Sequence, residues 1–137
     1  MTQEEMKTKL RDAGFRATNT RMAVLSYLDS QHKPVGIEKI AERLSDTNLT
    51  TLYRMMNDFE NARIVHAHEL GHGHQDYELA DRPHHHHIVC EECGDIEDVY
   101  ACKDDCEFEE KTLRSSSKFT TINRQTTTFF GTCKQCS

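Results

Sequence analysis

A chain of 137 residues holds one domain or two very small ones, and a core of that size gains from a metal staple. No apolar run exceeds four residues, which excludes a membrane helix, and the N-terminal "MTQEEMKTKL" lacks the apolar stretch of a signal peptide, so a cytoplasmic protein is expected. The net charge of −6 argues against a nucleic-acid binder only on average: residues 1–65 carry ten Lys/Arg against nine Asp/Glu, and residues 66–137 seven against fourteen.

The first half reads as short helices. "MTQEEMKTKLRDAG" places Met6, Leu10 and Ala13 on one face, with Gly14 as terminator. Thr18 or Asn19 can cap a second helix that turns Met22, Leu25 and Leu28 inward. Pro34 and Gly36 break the chain before a short helix with Ile37, Ile40, Ala41 and Leu44, and "SDTN" is a further turn and cap signal.

In "LTTLYRMMNDFENA", Leu52, Met55, Met56 and Phe59 form a buried stripe. Thr50, Tyr53, Arg54 and Asn57 repeat that spacing on another face. A recognition helix presents such groups to a major groove from its N-terminal end. Arg54 suits guanine or phosphate, and Thr50 and Thr51 suit phosphates. A plain solvated helix face has the same pattern, so the context matters. "IVHAHEL" and "QDYEL" read as two strands around "GHGH". Helices followed by a hairpin make a winged helix-turn-helix, whose wing lies against the DNA backbone.

The second half is rich in metal donors. Cys90 and Cys93 form one C-x-x-C pair, and Cys133 and Cys136 another, 39 residues apart. Two such pairs supply four thiolates to a tetrahedral zinc with no open position, a structural site; six cysteines in a reducing compartment favour it over disulfides. The alternatives are free thiols or a transient disulfide. The run "HHHHIVC" leads into a β-branched stretch and is expected to be extended, so His84 and His86 face one way and His85 and His87 the other. Two donor pairs result, with His66, His68, His72, His74, Glu78 and Asp98 near in sequence as partners. "DIEDVY" reads as a strand, "DDCEFEEKTLRSS" as a helix with Phe108 and Leu113, and "TTTFFG" as a strand. A small α/β unit of this kind often pairs with a copy of itself.

Taken together, "GFRATNTR", "LTTLYRMMNDFENARIV", "YEL", "HHHHIVCEECG" and "FFGTCKQC" resemble the ferric uptake regulator family of metal-responsive repressors over nearly the whole chain. The resemblance implies an α+β protein: a winged-helix DNA-binding domain over residues 1–80 and an α/β dimerisation domain over residues 81–137 with a four-cysteine structural zinc. Tyr53 and Arg54 match the pair that enters the major groove, and Arg16 a basic residue near the minor groove. Glu78, His85 and His87 match ligands of the inducing metal. A further ligand matches His66, with His68 beside it, in zinc-sensing relatives. In iron-sensing relatives it comes from near His32, and Asp98 can join. An auxiliary site matches His84, His86 and a helix carboxylate, Glu109 or Glu107, but its usual histidine is Gln125 here, a poor ligand that weakens or rebuilds the site. Cys102 and Cys106 also depart from the family pattern, either as sulfur replacements or as packed small residues.

The resemblance implies a homodimeric repressor that binds double-stranded operator DNA and one structural zinc per chain. The inducing metal is expected to be zinc from the His/Cys-rich donor supply, with iron-responsive or peroxide-sensing regulation as the alternative. An enzyme with a small-molecule substrate is not expected, since neither H-E-x-x-H nor a deaminase signature occurs. A zinc buffer would leave the Thr50–Asn57 face and the wing without purpose.

Overall fold

A computed structural model describes residues 1–100, 107–123, 125 and 127–137. The chain forms two compact units, Met1–Arg82 and Pro83–Ser137. Expectations for Cys102 and Cys106 lie outside the described residues, as does the first part of the helix expected from Asp104.

The first unit opens with α1 (Gln3–Asp12), started by a capping box in which Thr2 Oγ1 accepts from Glu5 N–H at 3.2 Å and Glu5 Oε2 from Thr2 N–H at 2.6 Å. It ends in a Schellman turn. Gly14, at φ 86°, donates to the Arg11 carbonyl at 2.9 Å, and Phe15 donates to that of Leu10 at 2.8 Å. Thr18 caps α2 (Asn19–Ser30), its side chain accepting from Arg21 N–H. Val24, Leu25 and Leu28 face the core, while Met22 packs at its edge rather than inside.

A two-residue strand, β1 (Val35–Gly36), precedes α3 (Ile37–Arg43). It is too short for any periodicity to reveal. Asn48 caps α4 (Leu49–Asn61), whose Leu52, Met56 and Phe59 are buried while Met55 is only partly covered. The helix ends in a second Schellman turn, with Ile64 N–H on Phe59 O at 2.9 Å and Arg63, not a glycine, at φ 59°. β2 (Val65–Glu69) and β3 (Gln75–Leu79) then form the wing, with β1 on the other edge of β3. Val65, Tyr77 and Leu79 close the core formed by the four helices.

The second unit is one three-stranded sheet in the order β5-β4-β6 with a helix in the last connection. β4 (His86–Cys90) pairs antiparallel with β5 (Ile96–Val99) and parallel with β6 (Thr128–Gly131); α5 (Glu107–Ser115) lies between β5 and β6 in the chain. Val89, Cys90 and Ile96 are buried. Phe108, Phe119, Phe129 and Phe130 are all more than half exposed, at 70%, 72%, 51% and 52%. No described helix is long and apolar enough to cross a membrane.

Candidate metal centres and nucleic-acid face

The parallel pairing of β4 with β6 sets Cys90 opposite Gly131, so both strands end on the same side. The C-x-x-C turns that follow them therefore meet, despite their separation in sequence. Sulfurs of Cys90, Cys93, Cys133 and Cys136 lie within 4.8 Å of one another, and Cys93 Sγ is 3.8 Å from Cys133 Sγ. Thiolates about 2.3 Å from a tetrahedral zinc stand about 3.8 Å apart, so the donors fit that ion. Backbone amides supply the rest of each knuckle. Gly94, at φ 76°, donates to the Cys90 carbonyl at 2.9 Å, and Cys133 N–H reaches Cys90 Sγ at 3.4 Å. The Cys93 and Cys133 amides lower the Cys90 thiol to about 6. Cys136 is pushed up to about 12, first by the Cys133 side chain and then by Cys93. The first proton leaves easily and the last does not, as expected of four thiols that need a cation between them.

A second set of donors stands at the other end of β4. His87 opposes Asp98 across β4 and β5, and its Nδ1 lies 2.8 Å from Asp98 Oδ1. His85 Nε2 approaches Asp98 Oδ2 at 3.6 Å. Asp98 Oδ2 is buried with no hydrogen-bond partner among the described residues. The His85 Nδ1 contacts the Pro83 carbonyl at 2.6 Å, an oxygen that can only accept. That contact places the proton on Nδ1 and the lone pair on Nε2, the orientation a metal ligand needs. A buried carboxylate between two imidazoles costs several kcal/mol unless a cation or proton compensates it. His84 and His86 form the opposite pair, with ring centroids 4.8 Å apart against 4.9 Å for His85 and His87. The pairing of every second ring expected from strand geometry is present, but β4 begins only at His86, and His84 and His85 precede it in the stretch after Pro83. Glu109 lies on α5, and Gln125 Nε2 donates to Thr127 Oγ1 at 3.3 Å.

In the wing, His68 Nε2 meets the buried Glu78 at 2.8 Å. His66 is Glu78's cross-strand neighbour, and its ring stands 6.2 Å from that of His68. His32 is exposed in the turn before β1. A further set, His72, His74 and Asp76, also brings donor atoms within 4.8 Å. Its signal in the sequence is the alternation in "HGHQD", which the turn glycines disguise.

On α4, Thr50, Thr51, Tyr53, Arg54 and Asn57 are all exposed, opposite the buried stripe. The Asn48 cap takes Thr51 N–H at 2.8 Å. Arg16 is exposed in the loop before α2, and its carbonyl accepts from the Arg21 guanidinium at 3.0 Å. The helix thus offers one cation, one phenol and two hydroxyls from its first two turns, with the Asn57 amide just beyond them.

Three comparisons agree with this architecture. The ferric uptake regulator family profile matches residues 12–128. The ferric uptake regulation protein of Legionella pneumophila is 31% identical over 137 residues, covering 96% of this chain and 98% of that protein. Among solved structures, the Vibrio cholerae ferric uptake regulator superposes with a TM-score of 0.72 at 28% identity, covering 93% of this chain and 98% of its own. A ferric uptake regulator from Francisella tularensis with iron gives 0.71 at 26% identity, covering 90% and 95%. With the winged helix, the α/β unit and the four-cysteine cluster in place, the chain belongs to the ferric uptake regulator family, whose members are metal-responsive transcription regulators.

Proposed function

We propose that this protein is a homodimeric, cytoplasmic repressor that binds operator DNA when a regulatory divalent metal is bound, and that the metal it senses is zinc. The observation that carries the reading is the His85–Asp98–His87 group, a buried carboxylate flanked by two imidazoles one of which is oriented by the Pro83 carbonyl. Glu78, with His68 or His66, is the natural source of the remaining ligands, because it is a buried acid of the wing that already meets an imidazole. An ion held by both sets ties the winged helix to the second unit. In a dimer this sets the distance between two recognition helices, and operator half-sites have a fixed spacing. Tyr53 and Arg54 enter the major groove, Thr50 and Thr51 hold phosphates, and Arg16 supports the complex from the minor-groove side. The second copy covers the exposed phenylalanines of residues 83–137, an apolar surface uncommon on a monomer this small. The four-cysteine zinc is structural in this scheme.

Zinc is favoured by the number of imidazoles around the site. Iron(II) is the second reading, supported by the nitrogen and oxygen donors of the His85, His87 and Asp98 set and by the ferric uptake relatives. The deciding experiment is anaerobic. Protein stripped of labile metal is titrated with zinc, iron(II) or manganese(II) against a palindromic AT-rich duplex library at fixed salt. Zinc is expected to restore DNA binding at the lowest free concentration. Restoration by iron(II) alone moves the protein to the iron branch, and no binding with any metal overturns the regulator reading.

A further inference from the structure

The wing of a winged helix ordinarily approaches the DNA phosphates, yet residues 64–81 contain no Lys or Arg and four acidic residues, Glu69, Asp76, Glu78 and Asp81. At its tip the hairpin carries an arrangement that can offset part of that charge. Asp76, 3% exposed, is buried on β3. His72 Nδ1 lies 3.3 Å from its Oδ2, and His74 Nε2 lies 3.4 Å from its Oδ1. Donors about 2.0–2.2 Å from a four-coordinate zinc stand roughly 3.3–3.5 Å apart. Each of these imidazole nitrogens stands that far from one oxygen of Asp76, and the three donors lie within 4.8 Å of one another. The two rings are stacked, with centroids 5.2 Å apart and 28° between planes. Gly73, at φ 76°, folds the turn so that both rings come back over the strand.

Two buried atoms in this group, His72 Nε2 and Asp76 Oδ2, have no hydrogen-bond partner among the described residues. A buried carboxylate oxygen with no hydrogen bond, only an imidazole beside it, is costly, and a bound cation removes the cost. The backbone also makes room. Gly36 is the cross-strand neighbour of Asp76, and a Cβ there would stand 3.3 Å from both Asp76 Oδ1 and His74 Nε2.

We propose that His72, His74 and Asp76 form a divalent-metal site in the wing, for an ion of zinc's type. The site is separate from both the four-cysteine cluster and the His85–His87–Asp98 group. Three protein ligands leave one position for water or an oxygen anion such as phosphate. The ion orders the turn between β2 and β3 and, with the single charge of Asp76, leaves the tip locally positive on a wing that stays acidic elsewhere.

The test uses the full chain with its tightly held zinc in place, carrying H85A and H87A, stripped of labile metal and titrated with cobalt(II). One cobalt per chain is expected, with ligand-field bands in the visible and no thiolate charge-transfer band. Adding H74A, at a half-exposed position that is safe for folding, should weaken that uptake at least tenfold, on the order seen for lost ligands and their supports. Adding G36A instead, which removes no ligand, should weaken it several-fold by crowding. Circular dichroism of each variant confirms the fold. Cobalt uptake that is absent, that H74A leaves unchanged, or that shows the thiolate band overturns the wing site. DNA binding is not used in this readout, so the result is independent of the regulator proposal.

Discussion

Arg63 occupies the left-handed region at φ 59°, where the turn closing α4 would ordinarily place glycine. A side chain in that conformation costs about 1 kcal/mol. Arg63→Gly is therefore expected to raise stability by about 0.5 kcal/mol, the remainder being lost to the greater freedom of glycine in the unfolded chain. Urea denaturation should show a higher midpoint with an unchanged slope. At Arg54 the prediction concerns binding. Arg54→Ala should leave stability unaltered, because the residue is exposed, and should weaken operator binding roughly tenfold while lowering the salt slope by about one. Single residues of this kind were unequally legible. The exposure of Arg54 and Tyr53 follows from the spacing of a polar face opposite a buried one. The left-handed Arg63 does not, because no glycine marks it.

Among the elements, α2 ends without a basic residue in its last turn. Its C-terminal carbonyls are instead bound by Arg82 from 51 residues or more away, the guanidinium donating to Leu28 O at 2.7 Å and also to Gln31 O. A charged donor on carbonyls with no helical partner is worth about 1.5–3 kcal/mol. Arg82→Ala should lower stability by about 1–2 kcal/mol, and thermal unfolding should begin several degrees earlier. Nothing near Arg82 in sequence announces this cap, since its partners come from a distant segment. The same reason hid β1, which exists because β3 has an edge to offer rather than because Val35–Gly36 has any strand pattern. The caps at Thr18 and Asn48 were legible because their acceptors and donors lie within three residues. The four helices of the wing unit and the pairing of His84 with His86 and His85 with His87 were readable on the same local grounds, although the strand itself starts only at His86.

At the scale of the molecule, the C-x-x-C pairs carry most of the information. They were legible as one site because zinc demands four donors, while the device that joins them, the parallel pairing of β4 and β6, needed the structure. The histidines were harder. Nine occur in the chain, and alternation sorts those of one strand into pairs but does not say which carboxylate each pair meets. Asp98 meets His85 and His87, Glu78 meets His68, and Asp76 meets His72 and His74. Three acids thus sort five of the nine histidines, and in the proposed function the Asp98 and Glu78 groups share one ion. The central claim concerns one of them: metal at His85 and His87 controls DNA binding. Coupling is reciprocal, so DNA affinity measured with and without labile metal gives the coupling free energy directly. The measurement is fluorescence anisotropy on a duplex selected by the wild-type protein, at fixed salt, for wild type and His87→Ala, each with its four-cysteine zinc confirmed by metal analysis. Wild type is expected to bind at least tenfold more tightly with metal than without, and His87→Ala equally weakly in both states, with its tightly held zinc retained. A His87→Ala protein whose DNA binding still rises with metal as the wild type's does would contradict the account.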